Sequence, residues 1–290
     1  MTGELAFIER LRQLADHPAA RGLSDDAAVL EFGGEALVLT HDMMVEGVHW
    51  LPGQDMADVA WKLVAVNLSD LAAKGARPLG VLFGYMLGDQ TERFIEGLRD
   101  ALAAFDVPLL GGDTVSGGPP QSLGLTAIGQ ATHRPVPSRS GAKPGDALWI
   151  TGAVGAAMMG FEALREDTGA ESEAYRRPRP LLVEGQALAP QVSAMMDVSD
   201  GVLLDASRLA AASGVTIDLA TASIPIAAPE SRRSDALRWG DDYQLLFTLP
   251  DGATPTVPAH PIGRIRPAQR APLLLDGDPP PAGYQLGYQH

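Results

Sequence analysis

Short apolar runs alternate along this chain with longer segments whose apolar residues recur at helical spacing, and that alternation restricts it to an α/β architecture. Strands are predicted over residues 36–40, 79–87, 107–110, 123–132 and 148–151, and helices over 55–73 and 89–105. An Asp89-x-x-Glu92 capping-box pattern opens the second helix. The loop 133–145 holds three prolines and two glycines, and it divides a domain over 1–136 from one over 137–290. Beyond it, helices are expected over 156–165, 181–188 and 201–213. Strands are expected to end at Met196 and to cover 215–219, 244–249 and the start of the tail near Leu273. The stretch 165–179, broken by Gly169 and Pro178, reads as an exposed connection, and the C-terminus as loose.

Several function classes fall away on composition. The 22 Lys+Arg against 36 Asp+Glu leave a net charge of −14, which repels nucleic acid. No apolar run reaches the about 18 residues of a membrane helix. The first residues lack the basic start and apolar stretch of a signal peptide, so a cytoplasmic location is expected. There is no cysteine, hence no thiolate nucleophile and no cysteine-bound zinc. Lys62, Lys74 and Lys143 are the only lysines, and none sits in a G-x-x-x-x-G-K-[ST] loop; 152–160 is not G-x-G-x-x-G either.

The chemistry lies in the aspartates. Three predicted strands run into one: 36–40 through His41 to Asp42, 107–110 through Gly111-Gly112 to Asp113, and Ala194-Met-Met into Asp197. Ligands of open α/β sheets bind beyond the carboxyl ends of strands. More aspartates stand in short polar breaks: Asp25-Asp26, Asp70 after Ser69, Asp200 between Ser199 and Gly201, and Asp241-Asp242. Carboxylates gathered in one cleft repel one another unless a cation lies between them, and Mg²⁺ takes such ligands together with substrate phosphates. Singly, each has a local alternative as a turn or cap residue. Asp200 equally caps the helix 201–213, Gly111-Gly-Asp113-Thr114 equally makes a turn, and Asp55 and Asp58 read as helix-start or solvated charges. Asn67, Asp70 and Lys74 form one polar stripe, read as lining a cleft. Arg139 suits either a phosphate clamp or an exposed loop, and a lone histidine such as His49 carries no assignment by itself.

With their flanks, these motifs resemble the thiamine-monophosphate kinases, in the superfamily of aminoimidazole-ribotide synthetase. The matching stretches are Asp25-Asp26-Ala-Ala28, the segment from Thr40 through Asp42 and His49 to Trp50, and the run from Lys62 through Asn67, Asp70 and Gly75 to Pro78. They continue with Gly111-Gly112-Asp113-Thr114, Arg139 to Asp146, Met196 to Gly201, and Gly240-Asp241-Asp242-Tyr243, covering nearly the whole chain in order. The resemblance implies an α/β protein of two domains, a homodimer joined through its N-terminal mixed-sheet domains. It implies direct, Mg²⁺-assisted transfer of the γ-phosphoryl group of ATP to thiamine monophosphate, without a protein nucleophile. On the same basis, Asp26, Thr40, Asp42, Asp70, Asp113, Asp197 and Asp200 hold several magnesium ions. Gly112, Asp113, Arg139 and Ser199 bind the nucleotide, and His49, Asp241 and Tyr288 the thiamine substrate. Three positions depart from the pattern: Ser24 stands for a glycine, His41 for a hydroxyl residue and Asp241 for a glutamate. The alternatives are a superfamily enzyme with another acceptor, or a non-catalytic regulator binding nucleotide and metal.

Overall fold

The computed structural model describes residues 3–288, so Met1-Thr2 and Gln289-His290 lie outside the described residues. After helix α1 (Gly3–Arg12), strands β1 (Ala28–Phe32) and β2 (Glu35–Val45) form a hairpin through Gly33-Gly34, both at positive φ. A glycine pair between two apolar runs is a strong hairpin signal, since glycine alone adopts such turn angles freely. Helix α2 (Met56–Ala73), strand β3 (Ala76–Met86), helix α3 (Thr91–Ala104) and strands β4 (Leu109–Val115) and β5 (Ser122–Ala131) complete the first half. Its five strands lie in the order β1-β2-β5-β3-β4, antiparallel except for the β3–β4 pair.

The second half builds a six-stranded mixed sheet, order β11-β8-β10-β6-β9-β7. Its strands are β6 (Ala147–Ile150), β7 (Ala194–Asp197), β8 (Thr216–Leu219), β9 (Leu245–Leu249), β10 (His260–Arg266) and β11 (Leu273–Leu275). Its helices are α4 (Ala156–Arg165), α5 (Glu173–Arg176), α6 (Leu182–Leu188), α7 (Val202–Ser213) and α8 (Arg233–Ala236). Each sheet has its own apolar core, Val38, Leu63, Leu125 and Phe94 in one, Ile150, Val202, Ile217 and Leu246 in the other. No helix among the described residues is long and apolar enough to cross a membrane.

Helix α2 is the shared element. All of its residues except Trp61 are buried, and it touches β2, β3 and β5 as well as α3, α6 and β7. Two glycines allow that contact: a Cβ on Gly97 of α3 would lie 2.1 Å from the Ala57 carbonyl oxygen, and one on Gly185 of α6 would lie 2.0 Å from that of Ala72. Asp55 caps the helix by accepting the Ala57 N–H.

Several expectations need correction. Strands β1 and β10 went unread. β2 continues to Val45 and β4 to Val115, so Asp42 and Asp113 lie within strands rather than beyond their ends. The capping box does not form: α3 starts at Thr91 behind Gln90 at φ 55°, and the Thr91 hydroxyl bonds the Gly88 carbonyl instead. Asp58 is buried, held by Arg176 and Arg177, rather than solvated. The stretch 165–179 contains α5 and buries Tyr175, because that pairing neutralises its charges. The tail is docked, with the Tyr288 N–H donating to the Asp200 carbonyl at 3.0 Å.

Replacing Gly185 with valine is expected to lower stability by about 2 kcal/mol or more, since the backbone opposite cannot yield as a side chain could. Urea denaturation beside the parent protein measures it; an unchanged midpoint would mean that α6 sits less tightly on α2.

Candidate active site

Five parts of the chain bring carboxylates to one place between the two sheets. Asp25 and Asp26 come from the turn before β1. Thr40 and Asp42 come from the inner face of β2, Asp70 from α2, Asp197 from the end of β7 and Asp200 from the loop after it. Ligand oxygens of Asp26, Asp70 and Asp197 lie within 4.8 Å of one another. Neighbours hold these groups: the Thr40 hydroxyl donates to Asp70, the Ser69 hydroxyl donates to Asp197 at 2.6 Å, and the Asn67 side-chain oxygen accepts the Asp42 N–H at 3.0 Å. Asp205 of α7 accepts the N–H groups of Ser199 and Asp200, and Arg208 bridges Asp200 and Asp205. Asp200 therefore does not cap α7; its carboxylate turns to Arg208.

The cluster is electrostatically uneven. On one side Lys74, fully buried, pairs with Asp25 and Asp26, while Arg21 adds to Asp25 and Arg139 to Asp26. Burial raises the Asp25 pKa, but Lys74 and Arg21 outweigh it and hold this carboxyl well below its usual range. On the other side, Asp42, Asp70 and Asp197 form no ion pair among the described residues. Burial, reinforced by neighbouring carboxylates, pushes Asp42 up to about 6 and Asp197 to about 7, and Asp70 well above its ordinary value. One oxygen of Asp26, although in ion-pair reach of Lys74, accepts no hydrogen bond. An all-oxygen donor set with excess acid fits a hard divalent cation.

This cluster forms one end of a cleft of about 830 Å³. Arg139, Ser199, His49, Asp241 and Tyr288 line it, together with Phe161, Tyr175 and Trp239, and backbone bonds tie Asp241 to Ser199 and Tyr288 to Asp200. Phe161 packs edge-on against Tyr175 at 5.3 Å and tilted against Trp239 at 5.2 Å. The His49 ring nitrogen Nδ1 accepts the Val45 N–H at 3.0 Å, fixing the imidazole. Asp241, at φ 64°, pairs with Lys62 at 2.7 Å. Asp242 turns away, accepting the N–H groups of Gly155 and Ala157 at the start of α4; burial raises its pKa to about 7.

Two of the sequence-derived positions are not brought to the cleft of the same chain. Gly112 and Asp113 lie on the edge strand β4, and Asp42, Leu125, Phe83 and Gly112 stand in one row across the sheet. That puts Gly112 three strand spacings, ~14 Å, from Asp42. His41 points to the sheet's other face, where it bonds the Thr126 hydroxyl at 2.9 Å, while Thr40 and Asp42 face the cleft. Ser24 sits at φ −121°, which any residue adopts, so its Cβ is accommodated. The residues missed are Asp25 as a partner of Lys74, Lys62, Asp205, and the aromatic trio Phe161, Tyr175 and Trp239. Of these Lys62 and Asp205 left a local signal, each a charged residue within an apolar helical run.

Residues 24–131 match the N-terminal domain of the AIR synthase related proteins, and residues 143–259 their C-terminal domain. The thiamine-monophosphate kinase of Salmonella typhimurium is 37% identical over 250 residues, 79% of this chain and 76% of that one. The kinase of the same name from Caulobacter vibrioides is 38% identical over 253 residues, 80% of this chain and 72% of that one. Among solved structures, AaThiL complexed with AMPPCP and TMP superposes with a TM-score of 0.86 at 26% identity, covering 96% of this chain and 95% of that one.

The raised carboxylates set the sign of a pH effect. Between about pH 4 and 7 the folded, cation-free protein holds protons that the unfolded chain has lost, so its stability falls as pH rises through that range. A divalent cation, which binds the ionised form, is expected to raise the melting temperature more at pH 8 than at pH 5.5. Thermal melts with and without chelator at both values test this; equal shifts would remove these acids from cation binding.

Proposed function

The chain belongs to the AIR synthase related family, as one of its thiamine-monophosphate kinases, and on that premise we propose that it transfers the γ-phosphoryl group of ATP to thiamine monophosphate, yielding thiamine diphosphate and ADP. The observation that carries this reading is the continuity of one cleft, from a carboxylate cluster at one end to an aromatic wall at the other. Anionic phosphates with their cation suit the first end, and the flat rings of thiamine the second.

Asp26, Thr40, Asp42, Asp70, Asp197 and Asp200 are the residues to hold magnesium. When bound, the ions neutralise charge on the phosphate oxygens of donor and acceptor. Arg139, fixed against Asp26, presents its guanidinium to the nucleotide, and the turn holding Ser199 is stiffened by Asp205. His49, Asp241 and Tyr288, which line the cleft, orient the thiamine substrate. Transfer is direct, since positioning and charge neutralisation suffice for this reaction without a protein nucleophile. Gly112 and Asp113 enter the reading through a homodimer. Asp113 shares the outer sheet face with Met43, Leu82 and Val115, all exposed and apolar, which supports pairing of two such faces and delivery of Asp113 to the nucleotide of the second copy. The acidic surface and the metabolite substrates suit the cytoplasm.

The test is ADP release from ATP and Mg²⁺ with and without thiamine monophosphate, with the diphosphate detected directly. Thiamine diphosphate is expected in step with ADP; ATP turnover indifferent to thiamine monophosphate would sink the reading. Asp42→Asn is expected to cut turnover about 100-fold or more while the protein stays folded. A folded variant with near-parent turnover at ordinary Mg²⁺ would show that Asp42 holds no essential ion.

A further inference from the structure

The cleft contains one buried cation that the proposed transfer does not use. Lys62 has a side chain only 2% exposed, and its ammonium meets three partners: the Asp241 carboxylate at 2.7 Å, the His49 carbonyl at 3.1 Å, and the face of the Tyr175 ring at 4.0 Å. Carboxylate, carbonyl and ring face surround the ammonium, so it is committed to groups of the chain itself. Each partner is secured a second time. The Tyr175 hydroxyl donates to the same His49 carbonyl at 3.2 Å, and the Tyr243 hydroxyl donates to the other Asp241 oxygen at 2.9 Å.

Lys62 acts with two neighbours on one face of α2, Asp58 and Trp61, at i, i+3 and i+4 spacing. Asp58 takes Arg176 at 2.6 Å and Arg177 at 2.5 Å. The Trp61 indole N–H donates to the Pro178 carbonyl at 3.0 Å. This face therefore clamps α5 of the second half and sets the Tyr175 ring in the cleft. Three segments distant in sequence meet at one ammonium: the loop after β2, helix α5, and the loop before β9.

We infer that Lys62 is a positioning residue for the acceptor end of the cleft, holding His49, Tyr175 and Asp241 in register without touching the transferred group. The inference rests on the thiamine-monophosphate reading and adds a residue to it. Asp70 lies eight residues further along α2, about 12 Å away along the helix axis. Removing the ammonium loosens the acceptor end, while the nucleotide end keeps its own supports, Asp205 on the Ser199–Asp200 turn and Thr40 on Asp70.

The experiment compares the parent with Lys62→Met, which keeps the chain's length without its charge, and with Tyr175→Phe, which keeps the ring but loses the donor to His49. KM is measured separately for thiamine monophosphate and MgATP, direct binding of thiamine monophosphate by calorimetry, and folding by thermal melts. Lys62→Met is expected to raise KM for thiamine monophosphate about tenfold, with KM for MgATP within about twofold; Tyr175→Phe is expected to raise only the former, about threefold. A folded Lys62→Met variant with unchanged KM for thiamine monophosphate, or with both KM values raised in parallel, overturns the inference. If Lys62→Met does not fold, Tyr175→Phe decides in the same terms. A parent protein that neither binds nor phosphorylates thiamine monophosphate overturns the functional reading, and this inference with it.

Discussion

A helix wrapped by protein on every side has no water to offer its polar side chains, and beyond Asp58, which faces α5, α2 and its C-cap carry five of them: Lys62, Asn67, Ser69, Asp70 and Lys74. Each unpaired polar group at such depth costs several kcal/mol, roughly 2–7, so each must find a partner inside. They find partners in different regions of the chain. Lys62 reaches the loop before β9, Asn67 the backbone of β2, Ser69 the end of β7, Asp70 the hydroxyl of Thr40, and Lys74 the turn before β1. The placement of both sheets and of the cleft between them follows from meeting those demands at once.

The pairing is complete around Lys74 and incomplete around Asp42, Asp70 and Asp197. That inequality gives the cleft its polarity. Where an acid is matched by cations inside the chain, as Asp25 is by Lys74 and Arg21, the site is rigid. Where acids are not so matched, the fold retains a deficit of positive charge that a bound divalent cation would make good. The aromatic end carries no such deficit, because Asp241 already faces Lys62.

What could be read from the sequence followed the range of the interactions involved. Asp70 and Asp197 were legible because a polar residue within or at the end of an apolar run is a local signal. The extent of β2 was not: His41-Asp42 looks like a polar break, yet the strand passes through it with one side chain on each face. Tyr175 was hidden in a stretch rich in Glu, Asp and Arg, whose charges are neutralised by Asp58 more than a hundred residues earlier. Gly112 and Asp113 stood out in the motif series, but strand register takes them to an edge far from the other acids of their own chain. A periodic pattern reports an element and its buried face; a side chain's destination across the fold leaves no trace in its neighbours.

The two sheets have separate cores, yet they are not independent modules. Ser69 bonds Asp197 and Lys62 bonds Asp241, both from inside α2, and Gly185 of the second half rests on the backbone of that helix. Separating the halves would strand a buried lysine and expose an apolar helix along much of its length. The chain is therefore expected to melt as one cooperative unit, and an exchanged half would need to carry over the helix face it was shaped against.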